Sequence, residues 1–218
     1  VLSSIGPRTI NEGQALSVRV TASDLDGTIP SLYAMNLPPN AAFIDSLNGR
    51  GAFLFSPNYF QAGAYSVLFI ASDGILADSE LVAITVNNVN RPPFINPILS
   101  PINISEGDTI RFVVISSDPD AEIPILIAQN LPLSNYMFLP NGDGTADFAF
   151  YPDFLQSGVY NIRFIATDPF AAADTEVVAI NVSNVNQPPI LAPIGALTVI
   201  EGHTLNVVIR ATDPDGTI

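Results

Sequence analysis

The sequence contains no cysteine, no tryptophan and no lysine, and only 13% of its residues are charged. Without cysteine, a disulfide framework and a cysteine-ligated zinc site are excluded. The basic residues are seven arginines against 21 acidic residues, which gives a net charge of −14. Because nucleic-acid binding needs clustered basic side chains, we expect no nucleic-acid partner.

Long hydrophobic runs are also missing, although 48% of the residues are hydrophobic. The longest apolar stretches, such as 123–128 around Pro124, are far shorter than the ~18–20 residues of a membrane-spanning helix. No charged region followed by a hydrophobic segment opens the chain, so we expect no signal peptide in it. The high apolar content argues against disorder, and 218 residues predict one or two domains.

The chain does contain an internal repeat of about 95 residues. Six motifs recur at this spacing, and in the first copy they are Glu12-Gly13, Asp24–Asp26, Phe55–Pro57, Gly63–Tyr65, Ala71–Asp73 and Asn88–Pro93. The spacing predicts repeat 1 at 1–91, repeat 2 at 92–187, and the first two strands of an incomplete repeat 3 at 188–218. About 30 residues are too few for repeat 3 to bury a core of its own.

Apolar and polar residues alternate within each repeat, which is typical of half-buried β-strands. Turn-forming pairs such as Asp26-Gly27 and Asn48-Gly49 separate the alternating segments. For repeat 1 we predict no helix and seven strands, at 7–11, 14–22, 31–36, 41–45, 51–56, 63–72 and 79–87. Seven short strands in about 95 residues predict a β-sandwich.

Tyr65 adds a more specific signal, because it opens the sixth predicted strand two residues before a core position. A tyrosine there is typical of the tyrosine corner of immunoglobulin-type domains. Val67 and Ile162 would then hold the core position that antibody domains give to cysteine. We therefore expect each core to close by packing alone.

Together, these motifs resemble the tandem cadherin-like or immunoglobulin-like repeats of large bacterial and archaeal cell-surface proteins, over essentially the whole chain. The resemblance implies an all-β fold of tandem seven-stranded Greek-key sandwiches. It also implies extracellular stalks, adhesins or filament walls, often with calcium at the repeat junctions. Two features depart from cadherins, since 53–61 lacks their mid-domain acidic motif and Arg91 and Gln187 replace a linker aspartate. Fewer ligands suggest one ion per junction, or none.

Strand direction predicts where the acidic residues of stacked repeats meet. Odd strands run from the top, where the chain enters a repeat, to the bottom, and even strands return. One junction would then gather Glu12, Asn88, Asn90, Asp118, Asp120 and Asp168, and the next Glu106, Asn184, Asn186, Asp213 and Asp215. The acids at the top of repeat 1 would face a preceding repeat, and they are Asp24, Asp26 and Asp73.

Oxygen ligands at this density suit Ca²⁺, which takes 6–8 of them, so we predict Ca²⁺ as the bound ion. The alternative is that the aspartates merely form Asx turns at strand ends.

Two features resemble enzyme motifs. Asp24–Ile29 matches the nucleophile segment of aspartyl phosphatases, but that chemistry uses an α/β fold and normally a lysine, which this chain lacks. Paired carboxylates serve glycoside hydrolysis too, but these recur as turn residues. We predict no catalytic residue.

Three other features point to surface positions. His203 lies beside a polar turn and is expected to be an ordinary surface residue. Asn103–Ser105 and Asn181–Ser183 are glycosylation sequons.

The sequence thus predicts a non-enzymatic structural or adhesive repeat region of an extracellular surface protein or fibre. Expected partners are neighbouring repeats, copies of the same protein, or a cell-surface glycan or protein. One alternative is a carbohydrate-binding accessory region of a secreted protein, although tryptophan is missing and Tyr59, Phe60 and Phe154 are more easily explained by sandwich packing. The other is a filament subunit whose incomplete repeat is finished by strands of a neighbouring chain.

Overall fold

A computed structural model describes residues 1–215, and β-strands are the only regular secondary structure in that range. The chain divides into two compact units, the first spanning Val1–Asn90 and the second beginning at Arg91. Within the described residues, no helix is long and apolar enough to cross a membrane.

The first unit is a sandwich of seven strands. They are β1 (Arg8–Asn11), β2 (Leu16–Thr21), β3 (Ser31–Met35), β4 (Ala41–Asp45), β5 (Arg50–Phe55), β6 (Gly63–Ser72) and β7 (Ala77–Asn87). One sheet has the order β1-β7-β6-β3, with β1 parallel to β7, and the other has the order β2-β5-β4. Each strand lies within two residues of its predicted bounds, because alternation and turn chemistry are local signals.

The second unit repeats this plan with one additional short strand. Its strands are β8 (Phe94–Ile95), β9 (Ile102–Ser105), β10 (Ile110–Ser117), β11 (Ile125–Gln129), β12 (Tyr136–Pro140), β13 (Thr145–Phe150), β14 (Gly158–Thr167) and β15 (Ala173–Ser183). The two sheets have the orders β11-β14-β15-β9 and β12-β13-β10-β8. In the first unit, the place of β8 is taken by a single bridge between Leu2 and Ala22.

Two further short strands follow, β16 (Ile190–Leu191) and β17 (Ala211–Thr212), which pair antiparallel. Between them, no described residue of the predicted third repeat lies in a strand. Apolar side chains such as Ile200 and Val208 are exposed there, because a lone strand pair has no second layer to cover it. The last three residues of the predicted repeat, 216–218, lie outside the described residues.

Phenylalanine rings fill both cores. Phe53 meets Phe69 edge to face in the first unit, with ring centroids 5.5 Å apart, and Phe148 meets Phe164 in the second, also at 5.5 Å. Such pairs contribute ~0.5–1.5 kcal/mol beyond the burial of their area. The positions that antibody domains give to cysteine are fully buried. Packing therefore closes each core, as predicted.

Both tyrosine corners are present. Tyr65 donates its hydroxyl proton to the carbonyl of Gln61 at 2.9 Å, and Tyr160 donates to the carbonyl of Gln156 at the same distance. The bond fixes the turn before β6 in the first unit, and before β14 in the second, to the first core residues of that strand. The prediction from the Gly-x-Tyr motif is confirmed.

Candidate metal centre

The Glu-Gly motif of the first unit lies at its bottom, where Glu12 is buried with 3% exposure. Glu12 Oε1 accepts hydrogen bonds from the amides of Gln61 at 2.9 Å and Ala62 at 2.7 Å. Its Oε2 accepts from the amide of Val89 at 3.1 Å. The carboxylate therefore ties the tyrosine-corner turn to the linker that follows β7.

Glu106 holds the same place in the second unit but is satisfied differently. It is also buried, and Oε2 accepts from the amide of Val185 at 2.9 Å. Oε1 is buried and has no hydrogen-bond partner among the described residues. Glu106 thus has the same hydrogen bond to the linker as Glu12, but among the residues that the structure describes it lacks the two hydrogen bonds that Glu12 accepts from the tyrosine-corner turn.

The predicted asparagine ligands lie on the linkers after β7 and β15, and they are Asn88, Asn90, Asn184 and Asn186. Asn184 is exposed, as is Asn186, which donates to the carbonyl of Gln187 at 3.2 Å. The first predicted junction draws Glu12, Asn88 and Asn90 from one unit and its aspartates from the other. It stays a prediction.

The top of the first unit carries three aspartates that form Asx turns. Asp26 donates its amide to Asp24 Oδ1 at 3.1 Å and accepts from the amide of Thr28 at 3.1 Å. Asp73 Oδ1 accepts from the amides of Leu76 and Ile75, each at 2.7 Å, and these bonds lower the pKa of Asp73. Here the turn interpretation explains the aspartates without a metal.

The top of the second unit brings three carboxylates together. Asp118 follows β10, Asp168 follows β14, and Glu122 lies in the loop between β10 and β11. One oxygen from each lies within 4.8 Å of the others. Two oxygens on opposite sides of a calcium ion lie roughly 5 Å apart, because each bonds at about 2.3–2.6 Å. The spacing suits one calcium ion.

Hydrogen bonds within the loops orient two of these carboxylates. Asp168 is buried, and its Oδ1 accepts from the amides of Phe170 at 2.8 Å and Ala172 at 2.9 Å. Asp118 Oδ1 accepts from the amide of Asp120 at 2.7 Å. Buried polar atoms normally have a partner, yet Asp118 Oδ2 and Glu122 Oε2 are buried with no hydrogen-bond partner in the described part of the chain. Hard, unsatisfied oxygens of this kind fit Ca²⁺.

The electrostatics of the group agree with this fit. Partial burial raises the pKa of Glu122, and the negative charges of Asp118, Asp168 and Asp120 raise it further. Without a cation, the carboxylates repel one another. A divalent cation among them would reverse the effect and favour the charged form of Glu122.

Asp120 lies beside this group but is bonded to Arg91. Burial alone would raise the pKa of Asp120, but hydrogen bonds from the amide and side chain of Arg91, together with its charge, hold the pKa of Asp120 below the ordinary value.

The aspartates predicted for the second junction, Asp213 and Asp215, are linked in a similar loop. Asp215 donates its amide to Asp213 Oδ1 at 3.2 Å and accepts from the amide of Gln187 at 2.7 Å.

Glu122 is the member of the group that the sequence did not predict. Comparison of the repeats places Thr28 at the equivalent position in the first unit, so Glu122 is not part of the repeated pattern. The available signal was the alternation of acids in Asp118-Pro119-Asp120-Ala121-Glu122, which extends Asp-x-Asp by one further carboxylate.

The chain is similar in structure to proteins whose structures are known. No family model matches the chain. The structure of the protocadherin gammaB7 EC3-6 cis-dimer is similar over 98% of this chain and 56% of that chain, with a TM-score of 0.51 at 20% identity. The chain is an all-β tandem of immunoglobulin-like, cadherin-like sandwiches. The titin domains Z1Z2 in complex with telethonin are similar over 85% of this chain and 96% of that chain, with a TM-score of 0.48 at 13% identity.

In sequence, the chain is similar to a bacterial protein. Over 117 residues, or 53% of the chain, it is 28% identical to Chitinase A of Pseudoalteromonas piscicida. The chain spans only 14% of the length of that protein.

Proposed function

We propose that the chain is a non-enzymatic structural or adhesive repeat region of an extracellular, bacterial or archaeal surface protein, and that Ca²⁺ braces its repeat ends. The observation that supports this best is the group of Asp118, Glu122 and Asp168, with its buried and unsatisfied oxygens. The similarity to a protein of Pseudoalteromonas piscicida supports the bacterial origin.

Calcium would act here as a brace for the loops. Asp118, Glu122 and Asp168 would supply three of its oxygen ligands. Extracellular calcium modules bind with a Kd of roughly 10⁻⁴–10⁻³ M. At ten times the Kd, binding stabilises the folded state by about 1.4 kcal/mol per ion. That is enough to stiffen the end of a sandwich that folds through its own core.

We expect partners of the structural kind, namely further repeats, copies of the same protein, or a cell-surface glycan or protein. The repeated sandwiches favour this interpretation because each has its own phenylalanine core and presents its loops at two ends. Tandem copies of such a unit give length.

Glu122→Gln tests the calcium site. In EDTA, the variant should melt at a higher temperature than the wild type, because one of several repelling carboxylates is gone. In about 10 mM Ca²⁺, the wild type should gain about 5 °C or more, whereas the variant should gain little. Calorimetric titration should show heat of binding for the wild type and much less for the variant.

The pH dependence gives a second signature. Because the pKa of Glu122 is raised in the folded state, its contribution in EDTA is most favourable below its ordinary pKa of 4.5 and is lost as the pH rises through the raised value. This slope should be absent in Glu122→Gln. The exposed Glu201→Gln removes one charge elsewhere and should keep both the slope and the calcium shift. A wild type with no binding heat and no shift with chelator would sink the calcium proposal.

A second candidate is a carbohydrate-related accessory region of a secreted hydrolase, and the similarity to Chitinase A favours it. Tyr59 and Phe154 lie against the glycines of the Glu-Gly motifs, Gly13 and Gly107. Tyr59 is nevertheless 37% exposed and Phe154 36%, and the expectation that sandwich packing explains Phe60 is wrong, because Phe60 is 70% exposed. Retention of the protein on chitin, or hits on a glycan array, would favour this candidate over the purely structural one.

A further inference from the structure

Arg91 opens the second unit and binds Asp120 through three atoms. Its Nε donates to Asp120 Oδ1 at 2.8 Å, its Nη2 lies 2.7 Å from the same oxygen, and its backbone amide donates to Oδ2 at 2.6 Å. Nη2 also donates to the carbonyl of Pro119. Both oxygens of Asp120 are therefore engaged by one residue.

The pair is more shielded than an ordinary surface ion pair. The side chain of Asp120 is 12% exposed and that of Arg91 is 29% exposed. A charge-assisted bond to a mostly buried carboxylate is stronger than one in open solvent. Removing the guanidinium would leave Asp120 charged and partly buried beside three other acids. Asp120 therefore needs the positive charge of Arg91 whether or not calcium is bound.

The chain holds its own comparison in the segment after β15. Gln187 stands where Arg91 does, and its amide bonds Asp215 as that of Arg91 bonds Asp120, at 2.7 Å. Its side chain is neutral and points to the carbonyl of Val185 at 3.5 Å. There the hydrogen bond with Asp215 and then burial raise the pKa of Asp213.

We propose that Arg91 is a resident cation of the acidic site, which neutralises Asp120, withdraws it from coordination and limits the site to one Ca²⁺ held by Asp118, Glu122 and Asp168. The inference rests on the calcium site proposed above. A second ion would need the oxygens of Asp120 and would have to displace a guanidinium that the backbone fixes in place. The same arginine supplies positive charge to the loop when calcium is scarce.

Arg91→Gln is the test, because it introduces at position 91 the residue found at the equivalent position 187. The variant frees Asp120 Oδ1 and removes a positive charge near the ion, so Ca²⁺ should bind about tenfold more tightly or with a second equivalent. In EDTA, the variant should melt below the wild type because Asp120 loses its partner. Calorimetric titration and thermal melts, with and without EDTA, measure both effects.

Two further variants isolate the cause. Arg163→Gln removes an exposed arginine from β14, and should alter neither the affinity nor the melting temperature in EDTA by comparable amounts. Arg91→Lys keeps the charge without the guanidinium fork, and its affinity should stay within about threefold of the wild type. It also serves as the readout if Arg91→Gln does not fold.

The outcomes separate this inference from the proposed function. If the wild type binds Ca²⁺ and Arg91→Gln binds it with the same affinity and stoichiometry, the role of Arg91 is overturned and the calcium site stands. If only Arg91→Gln binds, Arg91 blocks the site altogether, so both the one-ion role of Arg91 and calcium bracing of the wild type are overturned. If neither binds, both are overturned.

Discussion

At the scale of single residues, Glu12 and Glu106 show that equivalent positions can be satisfied to different degrees. Glu12 accepts three backbone hydrogen bonds, whereas Glu106 accepts one and keeps a buried oxygen without a partner among the described residues. A buried carboxylate is costly unless hydrogen bonds compensate for the lost hydration. The two residues should therefore differ in what they contribute to stability.

Replacing each glutamate by glutamine should expose this difference. Glu12→Gln should lower the free energy of unfolding by about 2 kcal/mol, because an amide nitrogen would face a backbone donor. Glu106→Gln should lower it by less than about 1 kcal/mol, since it has fewer bonds to lose. Urea denaturation in EDTA, followed by tyrosine fluorescence and circular dichroism, measures both. Equal losses of unfolding free energy in the two variants, or a larger loss for Glu106→Gln, would contradict the conclusion that Glu12 is the better satisfied carboxylate.

At the scale of elements, a glycine closes the β4–β5 hairpin against the end of β2. Gly49 has φ of +71° and accepts a 2.9 Å hydrogen bond from the amide of Ala22. A Cβ at Gly49 would lie 2.8 Å from the carbonyl oxygen of Ala22. The β12–β13 hairpin repeats this arrangement at Gly144, where the distance to the oxygen of Ser116 is 2.9 Å. Backbone conformation and lack of space both require glycine.

Gly49→Ala should therefore cost about 2–3 kcal/mol of unfolding free energy, from a strained φ and a clash with a backbone oxygen. Gly27→Ala is the matched control. Gly27 has φ of +90° but nothing within 4 Å of its added Cβ, so only the backbone strain of about 1 kcal/mol should appear. Urea denaturation compares the two variants. A cost at Gly49 no larger than that at Gly27 would show that the loop yields to the methyl group.

Elements with local signals were the ones that the sequence could predict. Strands β1–β7 follow from alternation and turns, and the tyrosine corner follows from the spacing of Tyr65. The two-residue strand β8 has no period to detect, and it exists only because β10 lies beside it. Glu122 joins Asp168 through the fold, across 46 positions of sequence, and the bond of Arg91 to Asp120 likewise depends on where the loop folds back.

At the scale of the whole molecule, the acidic residues behind the net charge of −14 differ in how well their surroundings stabilise the charged form. Asp26 and Asp73 at the top of the first unit are stabilised as anions by hydrogen bonds from turn amides, and Asp120 by Arg91. Glu122 is destabilised as an anion by its neighbours. Among these acids, a divalent cation should therefore stabilise the charged form most at the top of the second unit. This end of the unit follows the linker, and calcium binding should restrict motion there.

We expect Ca²⁺ to narrow the distribution of distances between the two units. Because the chain has no cysteine, Ser17→Cys and Asn161→Cys, at exposed strand positions of the first and second units, give two unique sites for fluorescent labels. Single-molecule energy transfer should give a broader distribution in EDTA than in about 10 mM Ca²⁺, a concentration above the Kd range of extracellular modules. The same pair of labels in Glu122→Gln should give the broad distribution in both conditions. If the labelled wild type shows one unchanged distribution while calorimetry detects bound calcium, the ion stabilises the second unit alone and does not brace the junction.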